Sequence, residues 1–185
     1  ILFTLTSSNV WSNPGFRDLK LGILFSEAHQ LCPNLVVNVI GKFSTKYVEC
    51  FGIDNIKFQG FGVETLTQLN INMGPIVSNG IFLDIVNELI ESDSNIYRKM
   101  KKNFDSKYTL NYEYSERDMQ LFNEGMKKDL LGVYSNGQVA LRINYNNFNN
   151  NDSNSLWLHI EYRDKDLAKS FLEENRPNTA TLDDF

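Results

Sequence analysis

Apolar and polar side chains alternate in two runs toward the end of the chain. Val139, Leu141, Ile143 and Tyr145 interleave with Ala140, Arg142 and Asn144. Leu156, Leu158, Ile160 and Tyr162 interleave with Trp157, His159, Glu161 and Arg163. A period of two marks half-buried β-strands. A further strand ends at Val133-Tyr134, directly before Ser135-Asn136-Gly137. Asn-Gly is a hairpin signal, because both residues accept positive φ. Between the two alternating runs lies NYNNFNNNDSNS, residues 144–155, with seven asparagines in twelve positions. Asn and Asp bond local backbone and tolerate left-handed geometry. The tract is predicted to be a hairpin loop. A domain linker there would leave residues 156–176 too short to bury a core.

The remaining pattern predicts further elements. ILFTLT, residues 1–6, reads as a buried strand, and SSNVWSNPG as the loop after it. Pro14 fits a helix start. Phe16, Leu19, Ile23, Ala28 and Leu31 follow at near-helical spacing and stop near Cys32, ahead of Pro33. NLVVNVIG and NIKFQGF, residues 55–61, read as strands. Strand, helix, strand in this order predicts a parallel βαβ portion with a right-handed crossover. Residues 63–72 show no decisive period. MGPIVSNG leads into a helix with Ile81, Ile85, Val86, Leu89 and Ile90 as its stripe, and Tyr97, Met100 and Phe104 mark another. YTLNYEY, residues 108–114, alternates as a strand. Ser115 and Asp118 form a capping pair, opening a helix expected to reach about Leu131. A last helix starts at Asp164 or Lys165 and runs through Leu167, Phe171 and Leu172.

The expected fold class is α/β or α+β. It is a mixed sheet of about six or seven strands with packed helices, with an N-terminal βαβ portion and a C-terminal antiparallel meander. Residues 1–176 are expected to form one compact domain, with a sub-boundary near residue 105, followed by a flexible acidic tail over 177–185. The first residue, Ile1, falls inside an apolar run, which suggests a domain cut from a larger protein.

Composition narrows the function classes. The chain has 185 residues, 42% apolar and 22% charged, with a net charge of −5. That balance argues against broad binding to nucleic acid or anionic membranes. The basic cluster Arg98, Lys99, Lys101, Lys102 and Lys107 reads as a helix C-terminus, where cations favour the dipole. No apolar run approaches the roughly 18 residues of a membrane span. The two cysteines, Cys32 and Cys50, read as buried thiols in a reducing compartment, with a single bridge left open. An intracellular, cytoplasmic location follows from that reading. Asn151-Asp152-Ser153 is a glycosylation sequon that matters only in a secreted chain.

Candidate chemistry is sparse. His29 lies close to Cys32 on the predicted first helix, but structural zinc needs four ligands in paired spacings. No metal, cofactor or catalytic residue is assigned. Trp157, His159, Glu161 and Arg142 share one strand face and are expected to form a protein interface, since Trp and Arg anchor interfaces. Two loops are ligand candidates: one with Ser7, Ser8, Asn9 and Trp11, the other with Ser78, Asn79 and Gly80. Both are expected beyond strand ends and ahead of helices, where ligands of open α/β sheets bind. Neither GxGxxG nor GxxxxGK[ST] is present.

The order strand, loop, helix, strand and NIKFQGF, with later helices ending in IYRKMKKNF, is similar to the nucleotide-binding half of GT-B glycosyltransferases. The similarity covers roughly the first hundred residues and is architectural. It implies a nucleotide- or sugar-nucleotide-binding transferase domain, the alternative function. The leading expectation is a non-enzymatic protein-interaction or assembly domain with a protein partner. A small-molecule ligand remains open.

Overall fold

The computed structural model describes residues 13–39, 46–53, 56–78, 96–147 and 154–174. The expected first strand, the 81–90 helix, residues 148–153 of the asparagine tract and the 177–185 tail lie outside these residues.

The meander expected from the alternating runs forms as one antiparallel series. β7 (Leu110–Glu113), β8 (Asp129–Tyr134), β9 (Val139–Asn147) and β10 (Asn154–Arg163) pair in chain order. β9 runs to Asn147, which pairs with Asn154 at the start of β10. Residues 144–147 and 154–155 of the stretch expected as a loop are therefore strand, because the β9–β10 ladder continues into the asparagine tract. β10 also pairs antiparallel with the long β6 (Leu66–Ser78), and β6 with β5 (Ile56–Gly62). Two short strands, β3 (Val37–Asn38) and β4 (Val48–Glu49), share the outer edge of β5. Among the described residues these strands form an eight-stranded mixed sheet, in which β6 from before residue 105 pairs with β10 from after it.

A separate two-stranded hairpin, β1 (Gly15–Phe16) and β2 (Leu19–Lys20), stands where a helix was expected after Pro14. Arg17 has φ of +51°, which no right-handed helix accommodates. The Leu21 N–H donates to the Pro14 carbonyl, and the Asn13 side-chain amide donates to the Leu21 carbonyl. The helix α1 is therefore confined to Phe25–Leu31, where the Glu27 carboxylate accepts from the Leu24 N–H. β3 and β5 pair in parallel; the first strand of the expected βαβ portion, residues 1–6, lies outside the described residues.

Three more helices follow among the described residues: α2 (Ile96–Lys107), α3 (Glu116–Asn123) and α4 (Lys165–Glu174). The predicted capping pair opens α3. Ser115 Oγ accepts from the Asp118 N–H at 3.1 Å, and Asp118 Oδ2 accepts from the Ser115 N–H at 2.8 Å. The helix stops eight residues short of Leu131. Gly125 takes φ of +72°, its N–H reaches the Phe122 carbonyl, and the Met126 N–H reaches the Leu121 carbonyl. This is a Schellman ending, and it frees residues 129–134 for β8.

One sheet face carries the main core. Leu158, Ile160, Leu141, Ile143, Ile71, Leu69 and Phe58 bury there, with Phe122 from α3 and Tyr97 and Phe104 from α2. The other face buries a smaller cluster of Leu131, Val133 and Ala140 beneath Phe171 of α4. The β8–β9 turn fits against α4. Ser135, Asn136 and Gly137 all have positive φ, and a Cβ on Gly137 would lie 2.5 Å from the Ala168 carbonyl oxygen. Gly137→Ala combines backbone strain with a clash. It is expected to cost about 2 kcal/mol, read as a lowered urea midpoint.

The cysteines are bonded. Cys32 follows α1 and Cys50 follows β4, with Cα atoms 5.2 Å apart and 1% and 4% exposed. That separation suits a bridge. The buried-thiol expectation is corrected: pairing of β4 with β5 brings Cys50 to the end of α1.

Candidate functional site

The sheet face opposite the main core gathers the four interface residues expected from sequence. Trp157, His159 and Glu161 alternate along β10, and Arg142 is the cross-strand partner of His159 on β9. β6 adds Asn72 opposite His159, and Asn70 opposite Glu161. β5 adds Lys57 beside Asn72, and β4 adds Glu49 beside Lys57. A polar row thus crosses five strands: Glu49, Lys57, Asn72, His159 and Arg142. Asn72, Lys57 and Glu49 were not among the expected site residues. The alternation of Leu69, Ile71 and Met73 with Gln68, Asn70 and Asn72 is the signal that could have placed β6 and its outer face.

Arg142 organises the charges. One guanidinium nitrogen donates to Asp129 Oδ2 at 2.9 Å, and Nε lies 3.6 Å from Glu161 Oε1. The second distance is an ion pair too long for a hydrogen bond, so the buried Nε has no hydrogen-bond acceptor. Asn72 Oδ1 is likewise buried without a donor. Glu161 also pairs with Arg163, which is 7% exposed and stacks its guanidinium over Phe171 at 3.8 Å from the ring centroid. Burial, and then the nearby Arg142, lower the Arg163 pKa to about 10. The helix α4 therefore covers one end of the polar face. Trp157 and His159 remain half-buried on its other part.

Burial and the adjacent Arg142 push His159 down to about 4, so its imidazole is neutral near pH 7. The unfolded chain, with an ordinary histidine, takes up the proton first as pH falls. The stability tied to the neutral ring is complete above about pH 6.5 and is lost as pH falls toward 4. Discounted for partial exposure, the loss is about 2 kcal/mol between pH 7 and 4.5. Urea unfolding of His159→Gln at both pH values checks this: the variant should lose less stability than the parent by that amount.

Of the ligand-loop residues, Ser7, Ser8, Asn9, Trp11, Asn79 and Gly80 lie outside the described residues. Ser78 is the last residue of β6, paired with Ser155 on β10. Residues 76–78 thus extend a strand where a loop was expected, because the β6–β10 ladder continues to that point. Cys32 is held in the bridge, so no thiolate is available to pair with His29. Among the described residues, no group of three or more His, Cys, Asp or Glu side chains is placed to hold a metal ion. No described helix is long and apolar enough to cross a membrane.

Fold and face together define a mixed α/β protein with a largely antiparallel sheet and a polar row on one face, exposed at Glu49 and Lys57 and half-buried at Asn72, His159 and Arg142. No family model, curated protein or solved structure matches the chain.

Proposed function

We propose that the protein is a non-enzymatic interaction or assembly domain that binds a protein partner through the polar face of its sheet. The observation that supports this reading is the juxtaposition of half-buried Trp157, neutral His159 and Arg142 on adjacent strands. Arg142 Nε and Asn72 Oδ1 are a donor and an acceptor held out of water without hydrogen-bond partners. Leaving such atoms unsatisfied costs stability, a strain that marks this part of the face as unlike an ordinary solvated sheet surface. Trp and Arg are the side chains that most often carry interface energy. The Cys32–Cys50 bridge favours an oxidising compartment, in place of the cytoplasmic setting expected from sequence.

A photo-crosslinking residue replacing Trp157 tests the reading in the protein's native source. Crosslinks to one protein, lost in Arg142→Ala at an unchanged melting temperature, are the expected result. Crosslinks that persist in Arg142→Ala would remove the assignment of this face. A melting temperature raised by ATP or UDP-glucose would replace the reading with the nucleotide-dependent transferase.

A further inference from the structure

A second surface lies on the opposite face of the sheet, around the β1–β2 hairpin. Phe16, Phe51 and Phe58 meet there as a triad with centroids 5.2–5.9 Å apart. Phe58 is fully buried, whereas Phe16 and Phe51 are half-exposed. The exposed Arg17 holds its guanidinium 5.6 Å from the Phe16 centroid and 5.4 Å from that of Phe51. Among the described residues, no carboxylate pairs with it.

The backbone under this arrangement is unusual. Arg17 and Phe51 have φ of +51° and +61°. Phe51 and Gly52 form the centre of a turn closed by the Ile53 N–H on the Cys50 carbonyl. A bulky residue in left-handed geometry is an outlier that costs stability and persists only when its surroundings hold it. Here the Cys32–Cys50 bridge anchors the residue before Phe51, and the ring triad holds its side chain. A flexible arginine is thereby pre-set on a rigid aromatic base. Its planar fork is left to form two parallel hydrogen bonds with a carboxylate. The ordering cost of binding is reduced in advance.

We propose that Arg17, with Phe16 and Phe51, is a docking point for an acidic segment of a partner protein. The segment would place a carboxylate on the Arg17 guanidinium and an apolar side chain against the half-exposed edges of the Phe16 and Phe51 rings. Charge complementarity argues for this occupant: the guanidinium is exposed, lacks an anion among the described residues and stands beside apolar surface. The surface is separate from the His159 face, and the proposal stands whether or not that face binds anything.

The probe is a fluorescein-labelled ten-residue peptide alternating glutamate and leucine, followed by anisotropy against the full chain. Saturable, salt-weakened binding is expected. Arg17→Ala and Arg17→Lys should each weaken it, the former by about tenfold or more, with the melting temperature retained. Arg17→Glu should abolish it and should instead bind the peptide in which lysine replaces glutamate. The proposal is overturned if the parent protein shows no saturation up to about 1 mM peptide. It is equally overturned if Arg17→Glu binds the glutamate peptide as well as the parent does. Arg17-dependent binding to phosphatidylserine vesicles without peptide binding would assign the surface to a membrane and reject the acidic segment.

Discussion

Phe58→Ala is expected to destabilise the fold by about 3–5 kcal/mol, the range for removing a buried aromatic ring. Phe58 is fully buried on β5, between Val48 of β4 and Ile71 of β6. Its ring also meets those of Phe16 and Phe51 at steep, T-shaped angles. The truncation therefore opens a cavity where three strands and the β1–β2 hairpin meet. These elements are held by strand registers and the cystine, so they can close the gap only in part. Urea titration should show a lowered midpoint with little change in slope. Phe58→Leu keeps most of the volume and should cost less than half as much. Equal losses for both variants would show that ring shape, rather than filled volume, matters at this position.

Loss of the Cys32–Cys50 bridge in the Cys32→Ser, Cys50→Ser double variant is expected to cost about 3 kcal/mol, from loop closure over 18 residues. The effect arises largely in the unfolded chain, which the bridge makes less free. The folded chain depends on the bridge locally as well. β3 and β4 contribute only two residues each to the sheet edge, and such short strands carry little pairing energy of their own. Amide hydrogen exchange should speed up over residues 32–39 and 46–53 in the double variant, while β8, β9 and β10 stay protected. Uniform acceleration throughout the sheet would show that the bridge supports the whole fold rather than one edge.

How far the sequence could be read depended on the range of the interactions that decide each element. β9 and β10 were legible because they alternate strictly, and the β8–β9 turn because it carries Asn136-Gly137. The first half of β8 was not, since residues up to Leu131 read as helix. The Ser115–Asp118 cap was legible because both partners lie within one turn of helix. The end of α3 was missed although Gly125 marks it, because the apolar residues beyond it continue at a spacing compatible with a helix. The stretch after Pro14 was misread for a related reason. Phe16, Leu19 and Ile23 fit helical spacing, but Arg17 adopts a backbone angle that nothing in its own side chain announces.

The two candidate surfaces divide in the same way. Trp157, His159 and Glu161 share a face because they sit two residues apart in a strand, and alternation alone requires it. That Arg142 stands directly across from His159 depends on the β9–β10 register, which the length of the asparagine loop leaves open. Asn72 and Lys57 join the row only through the antiparallel pairing of β6 with both β5 and β10. Phe51 reaches Arg17 only because β4 pairs with β5 and Cys50 bonds to Cys32.

From its order of residues alone, this chain specifies strands at 139–145 and 156–162, a capped helix at 116, a terminal helix from 165 and an α/β composition. Each depends on neighbours a few positions apart, where side-chain periodicity and local hydrogen bonding suffice. The neutral state of His159, the cystine and the aromatic seat of Arg17 were settled only in three dimensions. Each needs groups distant in sequence to be brought within a few ångströms and shielded from water, and that proximity exists only once the sheet has assembled.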